Sequence, residues 1–304
     1  MRLIISVIGG INVDIKGFSK NIIMKNSNPG NIKFSCGGVA RNIAENLGRL
    51  NIPVKLFGIV GNDFFGNYVI KETKKYGVNT NFIETIKNKQ TGIYLSIVDN
   101  KDMLVSISDM NSIDHLNKEY IDKNEKNIFN SKYIILDTNL NEEILKYIVY
   151  KNIHYKRTLI LNTVSIQKAK KIYNIKNNIQ YIITNLYEFN SFFNKDIKNI
   201  EELKEIKNYD SLCDIIITLG ENGIFDLKNK KHYKSLKANI KDANGAGDAF
   251  LSGFVYGLYN NKSIDESILF GQCTSVITLE SENSVSEILS KDVLDNKFYR
   301  EVVK

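Results

Sequence analysis

Short apolar runs alternate with amphipathic segments along most of the chain. The apolar runs are rich in Ile, Leu and Val and predict strands at residues 3–13, 54–60, 133–137, 158–161, 181–184 and 214–219. Between the runs, apolar residues recur at three- and four-residue steps, as at Val39, Ile43 and Leu47, a spacing that marks the buried face of a helix. Residues 68–76 predict a second helix. This alternation predicts a mainly parallel sheet that helices cover on both faces.

Two regions depart from the alternation. Residues 22–35 are polar and contain the turn signal Asn28-Pro29-Gly30. Residues 91–98 and 103–108 flank Asp99-Asn100-Lys101-Asp102 and predict a hairpin. Extended segments inserted into a parallel core predict a small separate sheet, which would form a lid over a site at the strand ends.

The last third of the chain predicts long helices at residues 245–259 and 263–281 and a closing helix at residues 291–304. No internal repeat or low-complexity linker interrupts the sequence. We therefore expect a single domain over residues 1–304, with a lid formed by segments at about 13–36 and 88–112.

Composition narrows the class of protein. The 304 residues are 43% hydrophobic and 25% charged, which is typical of a globular protein, and no stretch has the length of a membrane span. The first 14 residues lack a signal-peptide cleavage pattern, so we expect a cytoplasmic protein. The net charge of +7 comes from scattered lysines, which predicts a solvated surface without a nucleic-acid or membrane partner and suits an anionic small substrate. The three histidines are isolated and predict no zinc site.

The sharpest local pattern is DANGAGDAF at residues 242–250. Gly245, Ala246 and Gly247 precede a predicted helix, where backbone N–H groups and the helix dipole together form an anion hole. Asp248 follows in the first turn, where it could accept a proton from an attacking hydroxyl while the amides stabilise a transferred phosphoryl group. The motif alone leaves open a second interpretation, in which the loop is only tight and Asp248 caps the helix.

Two further motifs contain small and polar residues beside predicted element ends. In GGVARNIA at residues 37–44, the glycines let a ligand approach the backbone, and Asn42 lies one turn after Gly38. Taken alone, such a motif is more often a strand-to-helix turn with a polar surface residue. In GINVD at residues 10–14, Asn12 and Asp14 alternate onto one face at the end of the first predicted strand, where open α/β sheets bind ligands.

Together these motifs, in this order and about 200 residues apart, resemble the ribokinase (PfkB) family of carbohydrate and nucleoside kinases over essentially the whole chain. The resemblance implies a ribokinase-like three-layer α/β/α sandwich with a mainly parallel central sheet and a small β-sheet lid. It also implies ATP and Mg²⁺ as cofactors. Asn185 and Glu188 match the family's N-x-x-E motif, which is associated with phosphates and with Mg²⁺ held through water. Thr218, Gly220 and Gly223 resemble its nucleotide-binding turn.

Within the family, residues 27–30, 37–47 and 109–111 resemble the branch that phosphorylates the nucleoside pseudouridine. By this resemblance Asp14, Gly38 and Asn42 hold ribose hydroxyls, and residues 27–33 and 94–111 close over the base. The remaining substrate-binding residues implied by the resemblance are Asn12, Arg41, Met110, Asn111 and Asn139.

The resemblance also implies a monovalent cation, K⁺, beside Asp242, although Ala243 replaces the family's usual threonine. It further implies a homodimer formed through the lid. The alternatives for function are another nucleoside or pentose kinase, a non-catalytic nucleoside sensor, and a dinucleotide-binding protein. The sequence lacks the glycine spacing GxGxxG of dinucleotide-binding proteins and the GxxxxGK[ST] of P-loop enzymes.

Overall fold

A computed structural model describes residues 4–100, 102–206 and 213–303. The strands are β1 (Ile5–Ile8), β2 (Asn12–Ser19), β3 (Gly30–Gly37), β4 (Val54–Gly61), β5 (Asn79–Ile86), β6 (Gly92–Asp99), β7 (Asp102–Asp109), β8 (Tyr133–Asp137), β9 (Thr158–Asn162), β10 (Tyr181–Asn185), β11 (Asp214–Thr218), β12 (Ile224–Asp226) and β13 (Lys231–Tyr233). The helices are α1 (Val39–Arg49), α2 (Phe64–Lys74), α3 (Lys118–Phe129), α4 (Glu142–Tyr155), α5 (Ile166–Ala169), α6 (Leu186–Phe193), α7 (Ile200–Lys204), α8 (Ala246–Tyr259), α9 (Ile264–Leu279) and α10 (Lys291–Phe298).

The central sheet has the strand order β13-β12-β11-β10-β9-β8-β1-β4-β5. Its strands from β11 to β5 run parallel, whereas β12 and β13 extend one edge antiparallel. In β1, Ile5 lies between Val54 of β4 and Tyr133 of β8. The carboxyl ends of the parallel strands therefore lie along one edge, which is where ligands bind to open α/β sheets.

Successive residues of the buried strands point to opposite faces of the central sheet. Val7 and Ile135 belong to a core with α1, α8, α9 and α10, whereas Ile8 and Leu136 belong to a second core with α3, α4, α6 and α7. These strands are apolar on both faces because each face is covered by helices. The expected three-layer α/β/α sandwich with a mainly parallel sheet is thus confirmed.

The expected lid is a four-stranded sheet with the order β3-β2-β6-β7. In this sheet β2 pairs antiparallel with β3 and parallel with β6, and β6 pairs antiparallel with β7 in the predicted hairpin. The single strand predicted over residues 3–13 is wrong, because the chain leaves the central sheet after Ile8 and enters the lid at Asn12. A Cβ at Gly9 would overlap the Asp137 carboxylate, so this position leaves no room for a side chain.

Other predicted elements differ in their limits. Residues 30–35 of the polar stretch at residues 22–35 belong to β3, and the strands β5, β12 and β13 were not predicted. The closing helix α10 ends at Phe298, and a π-helical turn, Tyr299–Val303, follows it directly. Leu3, Lys101 and Lys304, which belong to predicted elements, lie outside the described residues. Among the helices of the described ranges, none is long and apolar enough to cross a membrane.

Candidate active site

The loop before α8 turns sharply onto the helix at Gly245. Gly245 is the N-cap of α8 with φ +78°, a conformation that favours glycine. A Cβ at Gly245 would also overlap the Ser284 carbonyl group. The loop can therefore lie close to residue 284 and still present the first amides of α8 to the neighbouring pocket.

Asp248 lies in the first turn of α8 and is only 8% exposed. Its Oδ2 accepts a hydrogen bond from Asn42 Nδ2 of α1 at 2.9 Å, and its Oδ1 accepts one from Asn162 Nδ2 of β9 at 3.2 Å. The carboxylate is thus held by one side chain from α1 and one from the carboxyl end of β9. Both oxygens have a fixed direction, which is what a proton acceptor needs.

The protonated form of the Asp248 carboxyl is more stable in this site than it would be in water. Burial, and then the nearby Asp137 and Asp14 carboxylates, raise its pKa to about 7, against the opposing hydrogen bonds from Asn42 and Asn162. A carboxylate with a pKa near the working pH is an effective general base, because it can both accept and release a proton.

Asp137 is a buried carboxylate at the end of β8 that organises the same edge. Its Oδ2 accepts hydrogen bonds from the amides of Gly10 and Ala40, at 2.9 and 3.0 Å, and its Oδ1 accepts one from the Asn139 amide at 2.8 Å. Burial raises the pKa of Asp137 in spite of these bonds. The side chain joins the β1–β2 connection to the start of α1.

A pocket of about 260 Å³, the lid pocket, lies between the lid and this edge. Its walls include most of the predicted substrate-binding residues, namely Asn12, Asp14, Gly38, Asn42, Met110 and Asn139. Asn12 Nδ2 donates to Asp14 Oδ1 at 2.7 Å, so the two side chains predicted to share a face are joined. Burial raises the pKa of Asp14.

Two predicted substrate-binding residues lie elsewhere. Asn111 begins a short 3₁₀ turn beyond Met110 and is not part of the wall of the lid pocket. The buried Arg41 donates to the Cys36 carbonyl at 2.9 Å and to Asn42 Oδ1 at 2.8 Å, and it pairs with Glu45. Because Arg41 holds the oxygen of the Asn42 amide, the nitrogen of that amide faces Asp248.

A second pocket of about 190 Å³, the junction pocket, surrounds Asp248. Its walls include the predicted cofactor residues Asn185, Glu188 and Thr218. Asn185 and Glu188 form a reciprocal capping box at the start of α6, and the Thr163 hydroxyl hydrogen-bonds to the Glu188 carboxylate.

The third pocket is a long cleft of about 520 Å³ on the far side of the junction pocket. The predicted nucleotide turn, Thr218, Gly220 and Gly223, forms one wall, and α9 forms the other. Thr218 and Gly247 line both the long cleft and the junction pocket, and Gly245 lines both the junction pocket and the lid pocket. The junction pocket therefore borders both of the others, and the three pockets together are called the groove; Asp248 lines the junction pocket.

Comparison with known proteins identifies the family. The model of the pfkB family carbohydrate kinases matches residues 3–291. Pseudouridine kinase of Escherichia coli (strain K12) is 30% identical over 292 residues, which cover 93% of each chain. The chain belongs to the pfkB family of carbohydrate kinases. It is accordingly a phosphotransferase that uses an alcohol group as acceptor.

Other pfkB relatives have different acceptors in their names. Guanosine-inosine kinase of Exiguobacterium acetylicum is 26% identical over 296 residues, covering 94% of this chain and 98% of the relative. The structure of Arabidopsis thaliana ribokinase complexed with ribose and ATP superposes with a TM-score of 0.83 at 17% identity, covering 98% of this chain and 99% of that one. This last likeness supports the ribokinase-like fold.

The junction pocket suits a magnesium ion that arrives with a nucleotide. Glu188 is 7% exposed, and within the described ranges no Lys or Arg side chain pairs with it. In the same part of the chain, no group of three or more His, Cys, Asp or Glu side chains could hold a metal ion alone. Mg²⁺ commonly binds through one or two carboxylates, water and substrate phosphates, and Glu188 is a carboxylate in the wall of this pocket.

The surroundings of Asp242 are less suited to a monovalent cation. Its Oδ2 pairs with the Lys16 ammonium at 2.9 Å, and its Oδ1 accepts the Asn244 amide at 2.9 Å. Burial opposes ionisation of Asp242, but these two partners hold its pKa below the ordinary value. Since Lys16 already supplies a positive charge here, the predicted K⁺ site does not fit this arrangement, and we derive no role for the ion.

The sequence motifs did not reveal several polar side chains of the groove. Asp137 and Asn162 are the last residues of β8 and β9. Lys168 lines the lid pocket, and its Nζ donates to Asn139 Oδ1 at a distance of 2.6 Å. Asp137 and Asn162 each follow a buried apolar run in the sequence. This pattern could have indicated them as site residues, because the carboxyl ends of parallel strands lie together at one edge of the sheet.

Proposed function

We propose that this kinase transfers the γ-phosphate of ATP to the 5′-hydroxyl of pseudouridine and so forms pseudouridine 5′-phosphate. The observation on which the proposal rests is the position of Asp248, a buried carboxylate with a pKa of about 7 in the junction pocket, which borders both the lid pocket and the long cleft. The name of the Escherichia coli relative supports pseudouridine as acceptor, and the ribokinase complexed with ATP supports ATP as donor.

In this proposal the nucleoside occupies the lid pocket and ATP the long cleft. Asp14, Asn12 and Asn42 present a carboxylate and two amides, which suit the hydroxyls of a ribose. The 5′-oxygen attacks the γ-phosphorus, the bond to the bridging oxygen of ADP breaks, and Asp248 accepts the hydroxyl proton.

The amides at the start of α8 hold the negative charge of the transferred phosphoryl group. Glu188 and Asn185 are the residues that would hold Mg²⁺, which would neutralise phosphate charge when bound. Arg41 acts through Asn42, whose amide it orients toward Asp248.

A panel of acceptors with detection of ADP tests the substrate. We expect the highest kcat/KM for pseudouridine, compared with uridine, guanosine, inosine, adenosine, ribose and deoxyribose. A clear preference for ribose or for a purine nucleoside would contradict the choice of pseudouridine. It would instead favour the second candidate, another nucleoside or pentose kinase, for which the guanosine-inosine kinase relative is the supporting observation.

The Asp248→Asn variant tests the base. We expect turnover to fall on the order of 10²–10⁴-fold while nucleoside binding is retained. The variant should fold, because it removes a buried charge and keeps the side-chain volume; its thermal midpoint at pH 8 should be no lower than that of the wild type. Near-normal turnover would contradict the assignment. Absence of turnover in the wild type with every acceptor would favour a nucleoside sensor.

A further inference from the structure

The loop over residues 242–245, called the anion-hole loop after its proposed role, leads directly into α8. Just before it, the Lys241 amide donates to the Leu279 carbonyl of α9 at 2.8 Å. At its start, Asp242 Oδ1 accepts a hydrogen bond from the Asn244 amide at 2.9 Å, which closes a turn of the backbone. The path of the loop toward α8 therefore depends on the Asp242 carboxylate.

A lysine of the lid contacts this carboxylate. Lys16 lies in β2, an inner strand of the lid sheet, and its Nζ is 2.9 Å from Asp242 Oδ2. The contact joins residues that are 226 apart in the sequence. Each side chain is only 23% exposed, so solvent and salt screen this pair less than they screen an ion pair on the open surface. Both oxygens of Asp242 thus have a partner, one from the loop and one from the lid.

The Lys16 ammonium interacts with a second carboxylate as well. Burial is the largest cause of the raised pKa of Asp14; the Lys16 charge lowers that pKa, and the Asp242 carboxylate raises it. Lys16 therefore offsets the repulsion between Asp14 and Asp242. It lines the lid pocket together with Asn244 and Gly245 of the anion-hole loop. A positive charge at Lys16 thus lies beside both the lid pocket and the loop.

A monovalent cation at this point would have a simple electrostatic task. It would bring one positive charge to the Asp242 carboxylate and so hold the loop amides in position for the charge of a phosphoryl group. A lysine ammonium carries the same single charge as K⁺ and is close to it in size, and its side chain ties it to the lid. Lys16 can therefore perform this task without an ion from solution.

We infer that Lys16 is a tethered replacement for a monovalent cation: it positions the anion-hole loop through Asp242 and makes turnover independent of K⁺. The family resemblance implied K⁺ beside Asp242, and this chain departs from that expectation at one side chain. The inference rests on the proposed function only in assigning the loop to the transferred phosphoryl group. It does not depend on which nucleoside or sugar is the acceptor.

The wild type tests the inference without any variant. Its kcat, with the acceptor that the substrate panel selects, is compared in KCl and in tetramethylammonium chloride at equal ionic strength, because tetramethylammonium is too large for a potassium site. We expect the same kcat in both salts. The thermal midpoint without substrates should also be the same, and this measurement remains decisive if no acceptor is found. A kcat or a midpoint that is clearly higher in KCl would overturn the inference.

The Lys16→Met variant removes the charge and keeps most of the aliphatic side chain. In tetramethylammonium chloride its kcat should fall on the order of tenfold, less than the roughly 10²–10³-fold lost with a direct donor to the developing charge. KCl should restore most of this kcat, because the Asp242 carboxylate is then free to bind the ion. By the same binding, KCl should raise the thermal midpoint of the variant by about 2 °C or more.

Two results with Lys16→Met would contradict the inference. A loss of kcat that KCl does not restore would show that no cation can replace the ammonium. A change confined to KM, with kcat unaltered in tetramethylammonium chloride, would assign Lys16 to nucleoside binding alone.

Lys20→Met is the matched control, because it removes the same charge from the same segment of the lid. Lys20 directly follows β2 and is exposed, whereas Asp242 is paired with Lys16. The kcat and the thermal midpoint of Lys20→Met should equal those of the wild type in both salts. A response to KCl as large as that of Lys16→Met would mean that only the net charge of the lid matters, which would refute a specific role for Lys16.

Discussion

At the scale of single residues, the proposed reaction depends on how Asp248 is surrounded. The motif at residues 242–250 and the one at residues 37–44 predicted Asp248 and Asn42 as site residues, and the structure joins these two side chains across a separation of 206 residues. Asn162, which contacts the other carboxylate oxygen, could not be identified from a local motif. Its neighbours in sequence are those of an ordinary buried strand, and only strand pairing brings it to Asp248.

The raised pKa of Asp248 predicts an acid limb in the pH dependence of kcat/KM for the nucleoside. The ionised base becomes more abundant as the pH rises through about 7, so activity should increase with pH and level off above 8. For a single group with this pKa, kcat/KM at pH 6 should be roughly a tenth of the plateau. An ordinary aspartate would instead give a flat profile above about pH 5.

Comparison of the wild type with the Asp14→Asn variant distinguishes the titration of Asp248 from the titration of ATP. Removing the Asp14 charge eliminates one of the causes that raise the pKa of Asp248, so the midpoint should move to lower pH even though the lid pocket binds less well. Titration of ATP is the same for both proteins. A midpoint that is identical in wild type and variant would contradict the assignment of the limb to Asp248.

At the scale of elements, the sequence predicted the central layer well and the lid connection poorly. Apolar runs such as residues 133–137 are buried on both faces, which makes their pattern clear. The run over residues 3–13 contains Gly9-Gly10, where the chain changes sheet between β1 and β2, but apolar residues on both sides of these glycines made it resemble a single strand. The edge strand β5 escaped prediction because its first residues, Asn79 and Asn81, are polar and exposed.

The close approach of Gly38 to the β1–β2 connection gives a prediction about this junction. Gly38 has φ +99°, and a Cβ there would lie 2.7 Å from Ile11 Cα and would overlap the Gly10 carbonyl. Gly38→Ala should therefore displace the lid from α1, lower the midpoint of urea unfolding, and raise KM for the nucleoside at least about tenfold through the misplaced Asn12, Asp14 and Asn42.

Gly77→Ala is the matched control for backbone strain. Gly77 also has a positive φ, +78°, but nothing lies within 4 Å of an added Cβ. It should lose only about 1–2 kcal/mol of stability and keep the wild-type KM. Equal effects of the two variants on stability and an unchanged KM for Gly38→Ala would show that the contact with the β1–β2 connection is unimportant.

At the scale of the whole molecule, the groove is built from parts that meet only in the folded chain. The lid supplies β2 and β6, the carboxyl ends of β8 to β11 supply the floor, and α8 and α9 supply the anion-hole loop and the wall of the long cleft. The lid pocket and the long cleft, which we propose for the acceptor and the donor, share no lining residue. Each ligand should therefore order a different part of the molecule.

Hydrogen exchange of the wild type, followed by mass spectrometry, tests this division, with each ligand added alone so that no turnover occurs. Pseudouridine alone should slow exchange in β2, β6 and the start of α1, because these elements surround the lid pocket, and should leave α9 unchanged. ADP alone should slow exchange at residues 218–224 and in α9, without effect on the lid strands. Protection of α9 by the nucleoside, or of β2 and β6 by ADP, would mean that the two pockets are coupled through the core. The lid would then respond to the donor as well as to the acceptor.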